Sequence, residues 1–239
     1  MEPRLDRKGR GPAPDDEACF GTAQVPMLRA AIEDLCWLLS RDYPHEASLK
    51  LVGDRYGLTA RQRKAVQRSS CSDEARDARV AKRWKGKDLA GADVSIDGFN
   101  CIIVTESLLS GAPVFRGRDG ALRDMASAHG TWRSLGITNT SVRMLLGVLK
   151  QWHAGRVRWW LDQPVSNSGR LRQRLVSLGK EEGIDWEVET VADPDRVLLG
   201  CSDVVATADA RILDGCSRWV DLPAEVAALT PQVWLVDVS

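Results

Sequence analysis

Three apolar runs in this chain each finish on an aspartate, and the segments between them repeat at helical spacing. VSID ends on Asp97, RVRWWLD on Asp162 and VVATAD on Asp209. Short apolar runs bounded by polar residues read as strands buried on both faces. CIIVTESLLSG, TNTSVRMLLGVLKQWH from Thr138 and SGRLRQRLVSLGKEEG read as helices between them. Strands that alternate with helices predict an α/β fold, a mostly parallel sheet with helices on both faces. PVFRGRDGALRDM predicts a hairpin turning near Asp119-Gly120, DWEVETV a further strand, and RWVDLP and QVWLVDV the last two.

Ligands of such sheets sit beyond the carboxyl ends of the strands. A carboxylate there points into the crevice, so if the three strands are neighbours, Asp97, Asp162 and Asp209 converge. Like charges that close repel unless a cation joins them. A hard divalent ion with oxygen ligands, Mg²⁺ or Mn²⁺, is the natural occupant, and it can activate water at a phosphoryl group. Asp195, in DPDRVL, is a candidate fourth ligand, although an acid in a first helical turn is also favoured by the helix dipole. Asp193 reads better as that helix's N-cap. Asn100 can fix the Asp97 carboxylate, bond a substrate phosphate or cap the next helix. Ser166, Asn167, Ser168 and Gly169 form a small polar turn opening a helix, suited to a phosphate or to ordinary capping. Arg170, Arg172 and Arg174 extend that surface. His129 is a candidate acid/base that equally suits a structural role. Trp132 is the best candidate for an exposed stacking ring, whereas Trp159, Trp160 and Trp234 fall in predicted strands and read as core.

The amino-terminal part has a different character. Residues 1–24 are polar with Pro and Gly and read as a disordered tail. Residues 25–87 read as a basic all-helical domain, with Pro26 in a first turn and with Thr59 and Ser72 as N-caps. WKGKDLAGA reads as a linker to a second domain over 92–239. From Arg55 to Lys87 there are eleven Lys/Arg against three acids, and from Asp93 onward 15 against 19. A basic module joined to an acidic one suits phosphate on one part and metal on the other, and equally a solvated helical face. Six cysteines lack any CxxC spacing and read as reduced thiols. With no 18-residue apolar run and no signal-like start, the cytoplasm is the default compartment. No Walker A, GxGxxG or GxSxG pattern occurs.

At SIDGFN, WWLDQPVSNSG and VVATADARIL the chain resembles the PIN/NYN-like nucleases. The whole chain, over about 26–239, also resembles the family of unknown function numbered 434, in which a helical region like LVGDRYGLTARQR precedes a PIN-like part. The resemblance implies a PIN-like three-layer domain preceded by a small all-helical region. It implies Asp97 as first metal ligand with Asn100 as companion, Asp162 and Asp209 as further acids, and metal-dependent phosphodiester hydrolysis. The glutamate that many such nucleases carry on a middle helix has no clear match; Glu106 stands one to two turns past Asn100. A divalent-metal ribonuclease is therefore expected, its RNA backbone held by Arg61, Arg63, Lys64 and Arg68. A nucleic-acid binder without catalysis on the same scaffold is the alternative, and a protein-interaction module the third.

Overall fold

Structure begins earlier than composition predicts. The computed structural model describes residues 10–126, 136–184 and 186–239. Helix α1 (Asp16–Phe20) lies inside the stretch expected to be a disordered tail. Two apolar side chains at its end explain the difference. Cys19 and Phe20 are buried, and Phe20 meets Phe115 edge to face at 4.8 Å. The buried Asp16 carboxylate accepts from Arg61 Nε at 2.6 Å.

The helices α2 (Val25–Leu39), α3 (His45–Arg55), α4 (Ala60–Ser69) and α5 (Asp73–Lys82) follow. Leu28, Ala31, Ile32 and Leu35 recur at helical spacing on α2 and are buried. Thr59 Oγ1 accepts from the Gln62 amide, and Gln62 Oε1 accepts from the Thr59 amide, so α4 opens on a reciprocal cap. Ser72 caps α5 by accepting from the Ala75 amide at 3.2 Å. Both caps were legible in the sequence.

The α/β part runs β1 (Val94–Asp97), α6 (Gly98–Leu109), β2 (Val114–Arg116), β3 (Leu122–Arg123), α7 (Thr138–Gln151), β4 (Val157–Asp162), α8 (Ser168–Glu181), β5 (Glu187–Val191), α9 (Pro194–Gly200), β6 (Val204–Ala206), α10 (Ala210–Gly215), β7 (Trp219–Val220), α11 (Leu222–Leu229) and β8 (Leu235–Asp237). Among the described residues, five strands pair in the order β5-β4-β1-β6-β7, every neighbour parallel. On one face Ile96, Trp159 and Leu161 pack with apolar residues of α6, α7, α8 and α11. On the other, Val205 and Trp219 pack with Leu198 of α9 and Ile212 and Leu213 of α10. The α/β fold, with helices on both faces of a parallel sheet and a helical region ahead of it, is as the alternation predicts.

Three local expectations change. The β2–β3 hairpin forms, with Gly120 at φ +78 in its turn, but β2 also pairs with β8 in a second three-stranded sheet. QVWLVDV therefore leaves the main sheet. RWVDLP supplies only the two residues of β7, because Asp221 accepts from the Ala224 amide and starts α11, with Pro223 in its first turn. WKGKDLAGA is no free linker: Leu89 is fully buried in the main core, and Arg83 bridges to Trp219.

The helical region is not a separate body either. Its core of Phe20, Leu28, Leu35 and Val66 is completed by Phe115, Val236 and Val238. Arg79 of α5 donates to Asp214 at 2.7 Å and to Asp119 at 2.8 Å. Trp159 is fully buried, Trp160 and Trp234 are half-buried, and Trp37 is the exposed tryptophan among the described residues. His129, Trp132 and Arg133 lie outside the described residues.

Candidate functional site

The strand order reverses at β1: the chain builds β4 and β5 to one side, then crosses to β6 and β7 on the other. At such a switch point the loops after two adjacent strands diverge and leave a crevice. Asp97 ends β1, and Thr207, Ala208 and Asp209 follow β6, its neighbour.

Gly98 makes the position of Asp97 possible. A Cβ on Gly98 would lie 2.5 Å from Leu161 Cδ2 and 3.0 Å from the Trp160 carbonyl oxygen. Only a residue without a side chain lets α6 start that close to β4. Gly98→Ala should therefore destabilise the fold by about 1–3 kcal/mol. The measurement is the urea midpoint, and an unchanged midpoint would show that β4 yields easily.

The Asp97 carboxylate is half-buried and bonded on both oxygens. Oδ1 accepts from the Asn100 amide at 3.4 Å, capping α6, and Oδ2 accepts from Thr207 Oγ1 at 2.8 Å. Thr207 Oγ1 in turn accepts from the Asp209 amide at 3.0 Å. Asn100 Oδ1 accepts from the Ala208 amide at 2.9 Å. Asn100 thus caps nothing with its side chain; it ties α6 to the loop after β6. Burial pushes the Asp97 carboxyl up to about 7, with Asp209 and Asp195 adding to the rise and Thr207 and Asn100 opposing it.

Asp195 and Asp162 belong to the same field. Burial raises Asp195, and Asp209 raises it further against Arg211, which reaches its Oδ2 at 3.4 Å. Burial raises Asp162, followed by Asp195 and Asp193. Asp209 is exposed and caps α10, accepting from the Arg211 and Ile212 amides at 2.9 and 3.3 Å. Asp193 caps α9 by accepting from the Arg196 amide at 3.1 Å, as the sequence suggests. Among the described residues, no three His, Cys, Asp or Glu side chains stand together closely enough to hold one ion. The four carboxylates therefore share one electrostatic neighbourhood without a preassembled ligand cage. Their chemistry suits a hard divalent cation, since oxygen donors predominate and Arg211 is the lone cation in contact with any of the four among the described residues.

A cleft of about 720 Å³ opens between this site and the helical region. Asn100, Ala208, Asp209 and Ala210 line one side; His45, Lys64, Gln67 and Arg68 come from the other, with Arg79 and Arg123 in the wall. Of the four cations expected to grip a backbone, Lys64 and Arg68 are in the cleft and Arg61 and Arg63 are not. Arg61 turns to Asp15 and Asp16. Arg63 donates to the carbonyls of Leu58 and Lys50 and to Asp54. Those two cations hold the helical region together, which sequence spacing does not reveal. Lys64 Nζ donates to the Met125 carbonyl at 3.0 Å, and Arg68 reaches Asp124 at 3.4 Å while its Nε stays buried without a partner among the described residues.

Other expected positions divide similarly. Ser168 does begin α8, with Asn167 left-handed before it at φ +69, but Ser168 is buried and its Oγ donates to the Gln163 carbonyl. Ser166 and Gly169 are exposed, and neither they nor Ser168 line the cleft. Arg172 and Arg174 are used internally, on the Val188 carbonyl and on Asn139 and Glu181. Glu106 is fully buried against Arg10 and Thr138, each at 2.5 Å, and is not among the groups that shift Asp97 most. Thr207 and Arg123 are the polar residues that sequence reasoning missed. Thr207 has a faint signal, a hydroxyl two residues before a strand-end aspartate. Arg123 has none for its place at the site, because the Ala208 carbonyl it holds is distant in the chain.

The comparisons with known proteins divide the chain at the foot of α5. Residues 27–82 match a protein of unknown function family, DUF434, and residues 86–225 match a domain of unknown function, DUF5616. The first match is confined to the helical region and does not extend over the whole chain. An uncharacterized protein of Methanocaldococcus jannaschii is 31% identical over 200 residues, covering 83% of this chain and 95% of the relative. No solved structure matches. No helix among the described residues is long and apolar enough to cross a membrane. The DUF5616 match spans more than half of the sequence and includes every aspartate of the site, so the chain belongs to that family.

Proposed function

We propose that this chain is a divalent-metal-dependent nuclease on a PIN-like scaffold, acting on RNA. The observation that carries the reading is the half-buried Asp97 at the switch point, surrounded by further carboxylates, one of which, Asp209, lines a cleft whose far side carries Lys64 and Arg68. An enzyme of phosphodiester chemistry needs negative charge where a metal sits and positive charge where the strand lies. Asp97, Asp162, Asp195 and Asp209 would hold Mg²⁺ or Mn²⁺. When bound, the ion supplies an activated water and neutralises charge on the phosphoryl oxygens.

The chain's own residues do the rest. Lys64 and Arg68 attract the backbone and set its path along the cleft. The side-chain nitrogen of Asn100, Nδ2, has no protein partner among the described residues, and Asn100 lines the cleft, so it can donate to a phosphate oxygen. Thr207 fixes the rotamer of Asp97. The high proton affinity of Asp97 keeps the empty site from holding a full set of charges, and a cation would drive that proton off.

The test incubates the purified protein with single-stranded and structured RNAs and Mn²⁺, beside Asp97→Asn/Asp209→Asn. Cleavage by the wild type alone, stopped by chelator, is expected. Lys64→Ala/Arg68→Ala should weaken RNA binding across all sequences and flatten its salt dependence by about two units of slope. RNA bound equally by the wild type and the double aspartate variant, with no cleavage, would replace the nuclease with a non-catalytic binder. That among the described residues no three acids stand close enough to hold one ion favours that second reading.

A further inference from the structure

We infer that Arg123 is a positioning residue for the aspartate site, through which helix α5 holds the loop that carries Asp209. The inference rests on the metal-site reading above. Arg123 stands on β3 and is 5% exposed. Its guanidinium uses two separate edges. NH1 and NH2 donate to the two carboxylate oxygens of Asp119, at 2.8 and 2.6 Å. Nε donates to the Ala208 carbonyl at 2.8 Å.

Ala208 is the hinge of the candidate site. Its amide donates to Asn100 Oδ1 while its carbonyl accepts from Arg123. The next amide, that of Asp209, is held by Thr207 Oγ1. The peptide units before and after Ala208 are thus clamped from two sides, by α6 and by the hairpin. That clamp sets where the Asp209 side chain starts.

On its other side Arg123 is held from α5. Arg79 donates NH1 to Asp119 Oδ2 at 2.8 Å and is itself 4% exposed. A buried Arg79–Asp119–Arg123 row therefore runs from the helical region to the loop after β6. The planar fork of arginine is what allows one side chain to satisfy a carboxylate and a carbonyl in fixed directions. Lysine in its place keeps the charge and can reach Asp119, but it cannot also hold the Ala208 carbonyl at that angle.

Outer-shell partners of metal-holding carboxylates are worth about 10- to 100-fold in metal affinity. Arg123 acts one bond further out, through the backbone, so the lower figure applies. Arg123→Lys should lower Mn²⁺ affinity by about 10-fold by calorimetry. In the absence of metal, it should speed amide hydrogen exchange at residues 208–213 more than at the core amides of β4. A structural role alone would raise exchange in proportion everywhere and leave the Mn²⁺ affinity of the folded protein unchanged. Should Arg123→Lys not fold, Arg79→Lys loosens the same row one step back, and its Mn²⁺ affinity should fall by a smaller factor. Mn²⁺ bound by the wild type and equally by both lysine variants would overturn the positioning role alone. A wild type that binds no Mn²⁺ would overturn the metal reading, and this inference with it.

Discussion

Asp119→Asn should be among the most destabilising single substitutions in the chain, lowering stability by about 3–5 kcal/mol. Asp119 is 1% exposed, and four donors converge on it: Arg79 NH1, both terminal nitrogens of Arg123 and the Ala121 amide. Neutralising it leaves two buried guanidiniums facing each other without the carboxylate between them. Arg79 keeps Asp214 on its solvent side, whereas Arg123 has no other acid in contact among the described residues. For a chain of this length the loss corresponds to a melting point roughly 10 °C lower. The pH profile gives an independent check. Burial alone would raise the Asp119 carboxyl, but Arg123 and Arg79 outweigh it and hold it at about 2. A depressed carboxyl adds stability in full above its ordinary range near 3.8 and loses it as pH falls through about 2. The gap in melting temperature between wild type and Asp119→Asn should therefore be constant near neutrality and shrink in strong acid. A variant that melts with the wild type would mean the two guanidiniums find water without Asp119.

Asp97→Asn should have opposite effects on activity and on stability. Any metal-dependent cleavage should fall by several orders of magnitude, because the carboxylate nearest the switch point is gone. The metal-free protein should become more stable at pH 8. The folded Asp97 carboxyl is raised from 3.8 to about 7. A raised carboxyl contributes its stability below the unfolded value near 3.8, and that contribution disappears as pH rises through about 7. Above that pH the wild type carries an ionised carboxylate beside Asp209 and Asp195, a penalty on the order of a few kcal/mol. Asparagine keeps the shape and the bond from Thr207 without the charge. In chelator, the variant should melt above the wild type at pH 8 and close to it at pH 4. Mn²⁺ should then raise the wild type alone, since a ligand that binds only the folded state stabilises it. A variant less stable than the wild type at pH 8 would show that the Asp97 charge is already compensated.

The strands that lead to Asp97, Asp162 and Asp209 were legible because central parallel strands are largely apolar, although β6 stops at Ala206, three residues short of Asp209. The caps at Thr59 and Ser72 were legible because a hydroxyl that caps a helix needs only its own next three residues. Information that is local in sequence survives without a structure. The cleft does not belong to that class. Arg61, Arg63, Lys64 and Arg68 look alike along α4, and only the placement of Asp16, Asp54, Met125 and Asp124 sorts them into internal ties and cleft residues. Arg123 is 85 positions from the carbonyl it holds. The α1 helix and α11 were missed for a simpler reason: at five and eight residues, neither shows enough periods to be told from a loop.

Completion of the α2–α4 core by Val236 and Val238 fixes an order of events during synthesis. The α2–α4 helices leave the ribosome well before Val236 and Val238 are made, so that side of their apolar core stays uncovered until then. Contacts that distant along the chain cannot reward the early segment for ordering until loop closure over nearly the whole sequence is possible. The helical region therefore reaches its final packing late, and a nascent chain stopped short of residue 236 would carry it formed in outline and open along one side.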